Sequence, residues 1–376
     1  TGAGSLNFVM ARGGDDNITG GTGTDFIAAG TGDDTINSGD GQDFVSTDDF
    51  NPINGTLTSL ANSGAAAAGN DTINLGAGDD FAAVGSNLQA TDQIDGGTGT
   101  DYVVFTGDYA TTPLVLGAST LTNVEYFILS NDYDYNITLH DNTFTGATAT
   151  IQGGGLGSSD VLTIDASLET STAINITSGA ADDTIFGGSG NDTIFGGHGD
   201  DYLKGKGGGD TLTGHYGADT LQGGGGKDIL IGAIDNNGTY VSEEAAGGAA
   251  VSNIYKFSDY SDSDWSSAAD NGTWDVIKGF DDSDKIQLTG TLNDNFNVGN
   301  SSAVLVKASI ASGTWSSNIT EAGFFYDGVS DNISIAVITD GTDARLYVDA
   351  NDNGNIDATD FVVKFIGLGN TTAIDN

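Results

Sequence analysis

Asp183, Asp192, Asp201, Asp210, Asp219 and Asp228 stand nine residues apart between Gly179 and Ile231. Each closes a glycine-rich stretch, and two residues beyond each comes a large apolar side chain: Ile185, Ile194, Leu203, Leu212, Leu221 and Leu230. The clearest copies span 187–195 and 196–204. Short carboxylates are hard oxygen donors. Glycines tolerate left-handed backbone angles and let carbonyl oxygens converge with no Cβ in the way. Together they offer an all-oxygen shell for a hard cation of flexible geometry, which selects calcium over zinc. Magnesium demands a tighter octahedron and keeps its waters, so it should compete poorly.

The period also says how the donors are held. One nonapeptide reads as half a turn: six residues of loop, then three of strand whose apolar residue points inward and whose neighbours point out. Two nonapeptides close a turn of 18 residues, with loops on alternate edges. Asp183, Asp201 and Asp219 then stack on one edge, and Asp192, Asp210 and Asp228 on the other. Successive turns lie about 4.8 Å apart, and carboxylates that close repel unless a cation sits between them. The loop glycines Gly187, Gly188, Gly190, Gly196, Gly197, Gly199, Gly205, Gly207, Gly214, Gly223 and Gly224 complete the candidate metal shell. A core one layer thick cannot offset the backbone entropy of so many glycines. Calcium must therefore contribute folding free energy directly.

The same spacing recurs upstream. Asp16, Asp25, Asp34 and Asp43 carry it, with Ile18, Ile27, Ile36 and Val45 in the apolar slot. It resumes at Asp71 and Asp80, then slips by three before Asp92 and Asp101, which requires a lengthened or bulged loop. The expected pairs one turn apart are 183/201, 201/219, 192/210, 210/228, 16/34 and 25/43, with those of 71–101 left open. From Phe105 to Thr177 the nonapeptide disappears, but short β-rich runs continue at solenoid spacing; further rungs are preferred over a small sandwich. The expected organisation is all-β: a first repeat block at 1–46, an inserted loop at 47–69, a second block at 70–104, a β insert at 105–177, a third block at 178–232 and a β-rich C-terminal cap at 233–376.

Composition narrows the partners. The net charge is −43, and only five of the 53 acids are Glu (Glu125, Glu169, Glu243, Glu244, Glu321). A chain so charged repels itself until cations neutralise it. Ten Lys plus Arg cannot build a phosphate-reading patch, so nucleic acid is excluded as a partner. There is no Cys and hence no disulfide framework. No apolar run reaches the ~18–20 residues of a membrane span. The start, Thr1-Gly2-Ala3-Gly4, is expected to be internal to a longer precursor.

Other constellations are less specific. Asp349, Asn351, Asn353, Gly354, Asp357 and Asp360 fit an EF-hand-like loop, although a tight hairpin turn uses the same residue types. His140, His198 and His215 are too scattered for a zinc triad, and the last two occupy loop slots expected to face solvent. Neither H-E-x-x-H nor G-x-S-x-G occurs. Acid pairs such as Asp15-Asp16, Asp33-Asp34 and Asp200-Asp201 read as metal ligands and their neighbours rather than a glycosidase dyad. No enzyme is expected.

The residues of 11–46, 70–104 and 178–232 resemble the RTX family of secreted calcium-dependent β-roll proteins. Tyr255-Lys256-Phe257, Asp275–Phe280, Asp284–Leu288 and the strands near 346–349 and 360–365 look like the region that caps β-rolls in RTX proteases and lipases. The resemblance implies parallel β-roll blocks with calcium in the turns, secretion by type I machinery, and folding only where calcium is plentiful. Alternating β-rolls with β-solenoid look like RTX surface-layer proteins and adhesins. Three functions follow as expectations. The first is a self-associating cell-surface or extracellular structural protein. The second is the export and folding module of a hydrolase whose catalytic domain lies elsewhere. The third is a calcium-dependent module for cell-surface polysaccharide using Trp265, Trp274 or Trp315.

Overall fold

The computed structural model describes residues 7–46, 69–86, 88–141, 143–144, 148–170, 172–234, 240–241, 253–257, 275–278, 285–288, 304–309, 334–339, 344–349 and 361–366. Among these residues every regular element is β, with no helix. The chain forms two compact units, Thr1–Gly190 and Asn191–Asn376, so the division falls inside the third repeat block.

The first unit is a parallel solenoid. One sheet runs through Asn7–Met10, Asp25–Ala28, Phe44–Ser46, Phe81–Val84, Tyr102–Phe105, Tyr126–Leu129, Thr148–Gln152 and Ala173–Thr177. A second contains Asn17–Gly21, Thr35–Gly39, Thr72–Asn74, Gln93–Asp95 and Leu121–Thr122. A third contains Leu114–Val115, Tyr135–Thr138, Leu162–Asp165 and Thr184–Phe186. Parallel neighbours ordinarily need a long crossover. Here the other half of each turn is the crossover, as in solenoids generally.

Register follows the apolar slot. Val9 lies beside Ile27, Ile27 beside Val45, Val45 beside Ala82, Ala82 beside Val103 and Val103 beside Phe127. Ile27, Val45, Ala82, Val103 and Phe127 are all buried. The three-residue slip is taken up just before Asp92, where Asp92 N–H donates to Gln89 O at 3.1 Å and Gln89 N–H to Asp92 Oδ2 at 2.7 Å. The β insert continues the solenoid with a thicker core of Phe105, Tyr109, Phe127, Tyr135 and Phe144. The buried hydroxyl of Tyr135 has two carbonyl acceptors for its one proton, Ser130 O at 2.8 Å and Phe105 O at 3.0 Å.

On the outer face of the first sheet the residue before the apolar slot is aromatic in six successive strands. Phe8, Phe26, Phe44, Phe81, Tyr102 and Tyr126 stack ring on ring, with centroids 4.5–5.2 Å apart. The strand spacing of a parallel sheet sets that repeat.

In the second unit Thr193–His198, Thr211–Tyr216, Ile229–Ile231 and Asp275–Lys278 form one parallel run, and Tyr202–Gly207, Thr220–Gly225, Ile254–Phe257 and Lys285–Leu288 form the other. Ile194, Leu203, Leu212, Leu221 and Leu230 point inward and are fully buried. These strands reach six residues where three were expected. The reason is that the stacked loops go on hydrogen-bonding, as in Gly199 N–H to Tyr216 O at 2.9 Å and Gly208 N–H to Gly225 O at 2.9 Å. The first run then takes Phe361–Ile366 in parallel, followed by Ala344–Asp349 and Ser334–Thr339 in antiparallel pairings, and Val304–Ser309 beside the last. Strands therefore appear within the cap segments expected at Tyr255–Phe257, Asp275–Phe280 and Asp284–Leu288 and near 346–349 and 360–365.

Candidate metal centre

The loops before Asp16, Asp34, Asp43, Asp80, Asp101, Asp201, Asp210, Asp219 and Asp228 make the same pair of left-handed steps, four and two residues before the Asp. Before Asp101 these are Gly97 at φ 93° and Gly99 at φ 142°, angles that cost a side chain about 1–2 kcal/mol. Gly99 is required twice over, because a Cβ there would run into the carbonyl of Gly78 one turn away. Three loops nonetheless carry a side chain at the first step: Arg12 at φ 81°, Lys206 at φ 85° and His215 at φ 89°. His215 is half-buried rather than exposed as expected. Its left-handed backbone turns the ring onto Tyr216 at 3.9 Å and Phe195 at 5.1 Å between centroids, and this burial, with His198 nearby, lowers its pKa.

The repeat Asp residues form hydrogen-bonded ladders along the edges. In each, the backbone N–H of one Asp donates to Oδ1 of the Asp one turn on. On one edge of the first unit the donors run Asp16 to Asp34 at 2.9 Å, Asp34 to Asp71 at 3.0 Å and Asp71 to Asp92 at 3.1 Å. On the other they run Asp25 to Asp43 at 2.9 Å, Asp43 to Asp80 at 2.6 Å and Asp80 to Asp101 at 2.9 Å. The second unit repeats the pattern with Asp192 to Asp210, Asp210 to Asp228 and Asp201 to Asp219, at 2.7–2.9 Å. The expected pairs 16/34, 25/43, 192/210, 210/228 and 201/219 are thereby adjacent, and the open pairing of the second block resolves to 34/71, 71/92, 43/80 and 80/101.

The second carboxylate oxygen separates the Asp residues into two kinds. Oδ2 of Asp16, Asp34, Asp43, Asp80, Asp101 and Asp210 is buried with no hydrogen-bond donor. By contrast, Asp25 accepts from Gly21 N–H on Oδ2 and from the Asn7 side chain on Oδ1. Asp92 has Gln89 and Asp71 N–H on its two oxygens, and Asp183 has Gly179 and Leu162 N–H. An acceptor-only group buried without a donor is costly unless a proton or cation meets it.

Electrostatics agree with that division. Burial, only partly offset by the ladder hydrogen bond and reinforced by neighbouring carboxylates, pushes Asp71 up to about 6, Asp80 and Asp101 to about 7 and Asp210 to about 8. Burial likewise raises Asp34, Asp43, Asp92 and Asp183. The preceding acid of each pair plays a different part, since Asp15, Asp33, Asp79 and Asp200 accept backbone N–H bonds from the next turn at exposed positions.

Among the described residues no three His, Cys, Asp or Glu side chains converge to hold a metal. Any ion at these edges must therefore take main-chain carbonyls as well as carboxylates. Glycines keep room for this: a Cβ at Gly205, Gly214 or Gly223 would strike Oδ2 of Asp210, Asp219 or Asp228 respectively. Gly196 holds the same place before Asp201. Buried oxygens lacking donors, glycine-lined space and an all-oxygen donor set fit calcium.

Comparison with protein families agrees. The RTX calcium-binding nonapeptide repeat matches in four copies, at residues 10–45, 60–86, 177–212 and 204–238. These blocks are RTX β-rolls. Their ion is calcium. Among curated proteins nothing matches the chain.

The ladders run past the nonapeptides, onto residues the sequence pattern did not single out. Asp101 N–H donates to Glu125 Oε2 at 2.9 Å, Asp219 N–H to Asn253 Oδ1 at 2.9 Å and Asp228 N–H to Asp275 Oδ1 at 2.8 Å. The signal was present but short: each lies two residues before an inward, fully buried apolar residue, Phe127, Tyr255 and Ile277. Of the EF-hand-like loop, Asp349 ends the strand Ala344–Asp349. Asn351, Asn353, Asp357 and Asp360 lie outside the described residues, as do Trp265, Trp274 and Trp315.

Proposed function

We propose that this chain is a secreted structural protein that folds on calcium outside the cell and assembles with copies of itself at the cell surface. The observation that carries the calcium half is the set of buried Asp oxygens without donors, stacked one turn apart along both edges of the repeats. Asp16, Asp34, Asp43, Asp80, Asp101 and Asp210 supply the metal-facing carboxylates, and Asp71, Asp192, Asp201, Asp219 and Asp228 continue them along the same ladders. Asp25, Asp92 and Asp183 act chiefly as backbone caps. Loop carbonyls complete each shell, and calcium neutralises neighbouring turns that otherwise repel.

Secretion follows from the same chemistry. Sites of the extracellular class bind at ~10⁻⁴–10⁻³ M, so the chain stays unfolded, and exportable by type I machinery, until it meets calcium outside. Among the described residues no helix is long and apolar enough to cross a membrane. Three repeat blocks, with further solenoid rungs between the second and third, suit a non-catalytic surface-layer or adhesin part better than the export module of a hydrolase, which usually needs only one.

Circular dichroism with and without a chelator tests the folding claim, since the β-structure of the repeat turns should be lost on calcium removal and return on its readdition. Light scattering tests assembly. Ordered sheets or filaments are expected at millimolar calcium, and a strict monomer there refutes the surface-layer reading.

A further inference from the structure

We propose that Glu125 and the carbonyl of Asn123 join Asp101 in holding a calcium ion where the second repeat block meets the β insert. The proposal rests on the repeats being calcium sites and extends them to a turn that carries no nonapeptide. Residues 87–125 lie outside every matched copy of the repeat, and Thr120-Leu121-Thr122-Asn123-Val124-Glu125 shows no glycine-rich pattern.

Three observations place the site. Glu125 occupies the next rung of the ladder that runs through Asp43, Asp80 and Asp101, accepting the Asp101 N–H on Oε2 at 2.9 Å. Asp101 is 1% exposed, and its Oδ2 has no donor. That oxygen points to the glycine-lined space at Gly96: a Cβ there would lie 2.8 Å from Asp101 Oδ2 and would overlap the carbonyl of Asn123. The same small volume is thus faced by a buried carboxylate oxygen and a carbonyl, with a second carboxylate on the adjoining rung.

The degenerate turn reaches the same rung by a shorter backbone path. Asn123 stands two residues before Glu125, just beyond the Thr122–Asp95 pairing, and makes a left-handed step at φ 53°. Asn is among the few residues that accept this step, and its side chain donates to Asp95 Oδ1 at 2.7 Å. Glu replaces Asp because the turn is shorter: only Asn123 and Val124 separate the strand Leu121–Thr122 from Glu125. The extra methylene restores reach. Carboxylates and a carbonyl again specify a hard divalent cation.

Calcium stoichiometry of the full chain by native mass spectrometry tests this, with Glu125→Gln and Asp210→Asn beside the wild type. Glutamine keeps an oxygen for the Asp101 N–H and removes the charge, so Glu125→Gln is expected to bind one ion fewer with unchanged circular dichroism. An unchanged ion count overturns the proposal. Asp210→Asn reads the repeats separately: if it also loses no ion, or if the wild type binds none, the calcium reading of the ladders fails rather than Glu125 alone. Should Glu125→Gln lose β-structure, Glu125→Asp replaces it. At limiting calcium, last-ion occupancy at least tenfold weaker than wild type is expected, and wild-type occupancy overturns the site.

Discussion

Without calcium the Asp ladders face their own repulsion, and the buried carboxyls fix the pH at which this appears. Asp71 titrates at about 6, Asp80 and Asp101 at about 7 and Asp210 at about 8, against about 3.9 for Asp in an unfolded chain. The folded values lie above the unfolded one, so the calcium-free fold binds the extra protons. Its stability is fully present below the unfolded value and is lost as pH rises through about 6 to about 8. Between about pH 5 and about pH 8, a carboxyl titrating at about 7 removes roughly 3 kcal/mol. Rungs coupled through shared hydrogen bonds do not add, yet one alone shifts the folded-to-unfolded ratio by about a hundredfold. Circular dichroism of the calcium-free chain across this range should show β-structure at the acid end and its loss near neutrality. Millimolar calcium should restore it at the alkaline end. Calcium-free protein with as much β-structure at about pH 8 as at about pH 5 would refute the reasoning.

Four further outcomes are expected. Asp80→Asn keeps an oxygen for the Asp43 N–H but removes a buried charge, so it should weaken calcium binding while shifting the loss of β-structure in the calcium-free chain to higher pH, read by circular dichroism. Gly217→Ala places a Cβ on the Gly199 carbonyl at φ 130° and should cost more than about 2 kcal/mol in chemical denaturation; Gly155→Ala, with nothing within 4 Å, should stay within about 0.5 kcal/mol. Arg12→Gly relieves a left-handed side chain at φ 81° and should stabilise the calcium-loaded fold by up to about 1 kcal/mol, read as a higher melting temperature. Phe44→Ala breaks the outer stack between Phe26 and Phe81 and should cost about 2 kcal/mol.

The parts of the fold legible in the sequence are those where one residue does one job at a fixed spacing. The inward residues at 194, 203, 212, 221 and 230 and the ladder pairs 16/34, 192/210 and 210/228 follow from period nine alone. Where turn length varies, spacing stops informing. Phe44 stacks on Phe81, Phe81 on Tyr102 and Tyr102 on Tyr126 across turns of differing length, so no single period reveals the aromatic row. Glu125, Asn253 and Asp275 escaped for the same reason, since a rung is defined by the residue that follows it into the core, not by the loop before it. The two kinds of Asp were also illegible. Asp92 and Asp101 occupy equivalent slots, but only the local turn at Gln89 gives Asp92 a donor for its second oxygen.

The contrast between repeat and insert explains why one chain uses both. In the repeat turns the inner residues are mostly Ile, Val, Leu and Ala, and loop carboxyls are raised by burial, so each turn needs an ion to neutralise its edge. In the insert, Asp160 and Asp141 are lowered instead. Gly157 and Asp132 N–H donate to Asp160, and the Thr170 hydroxyl and N–H donate to Asp141. The core there gains Phe105, Phe127, Tyr135 and Phe144, all buried, and each large aromatic contributes more than an aliphatic of the repeat core. Edges satisfied by backbone donors and a thicker apolar interior remove the need for a cation. Calcium withdrawal should therefore act on the repeat turns and spare the turns of 126–177. Glu125 stands at the rung where ion-dependent stabilisation gives way to burial.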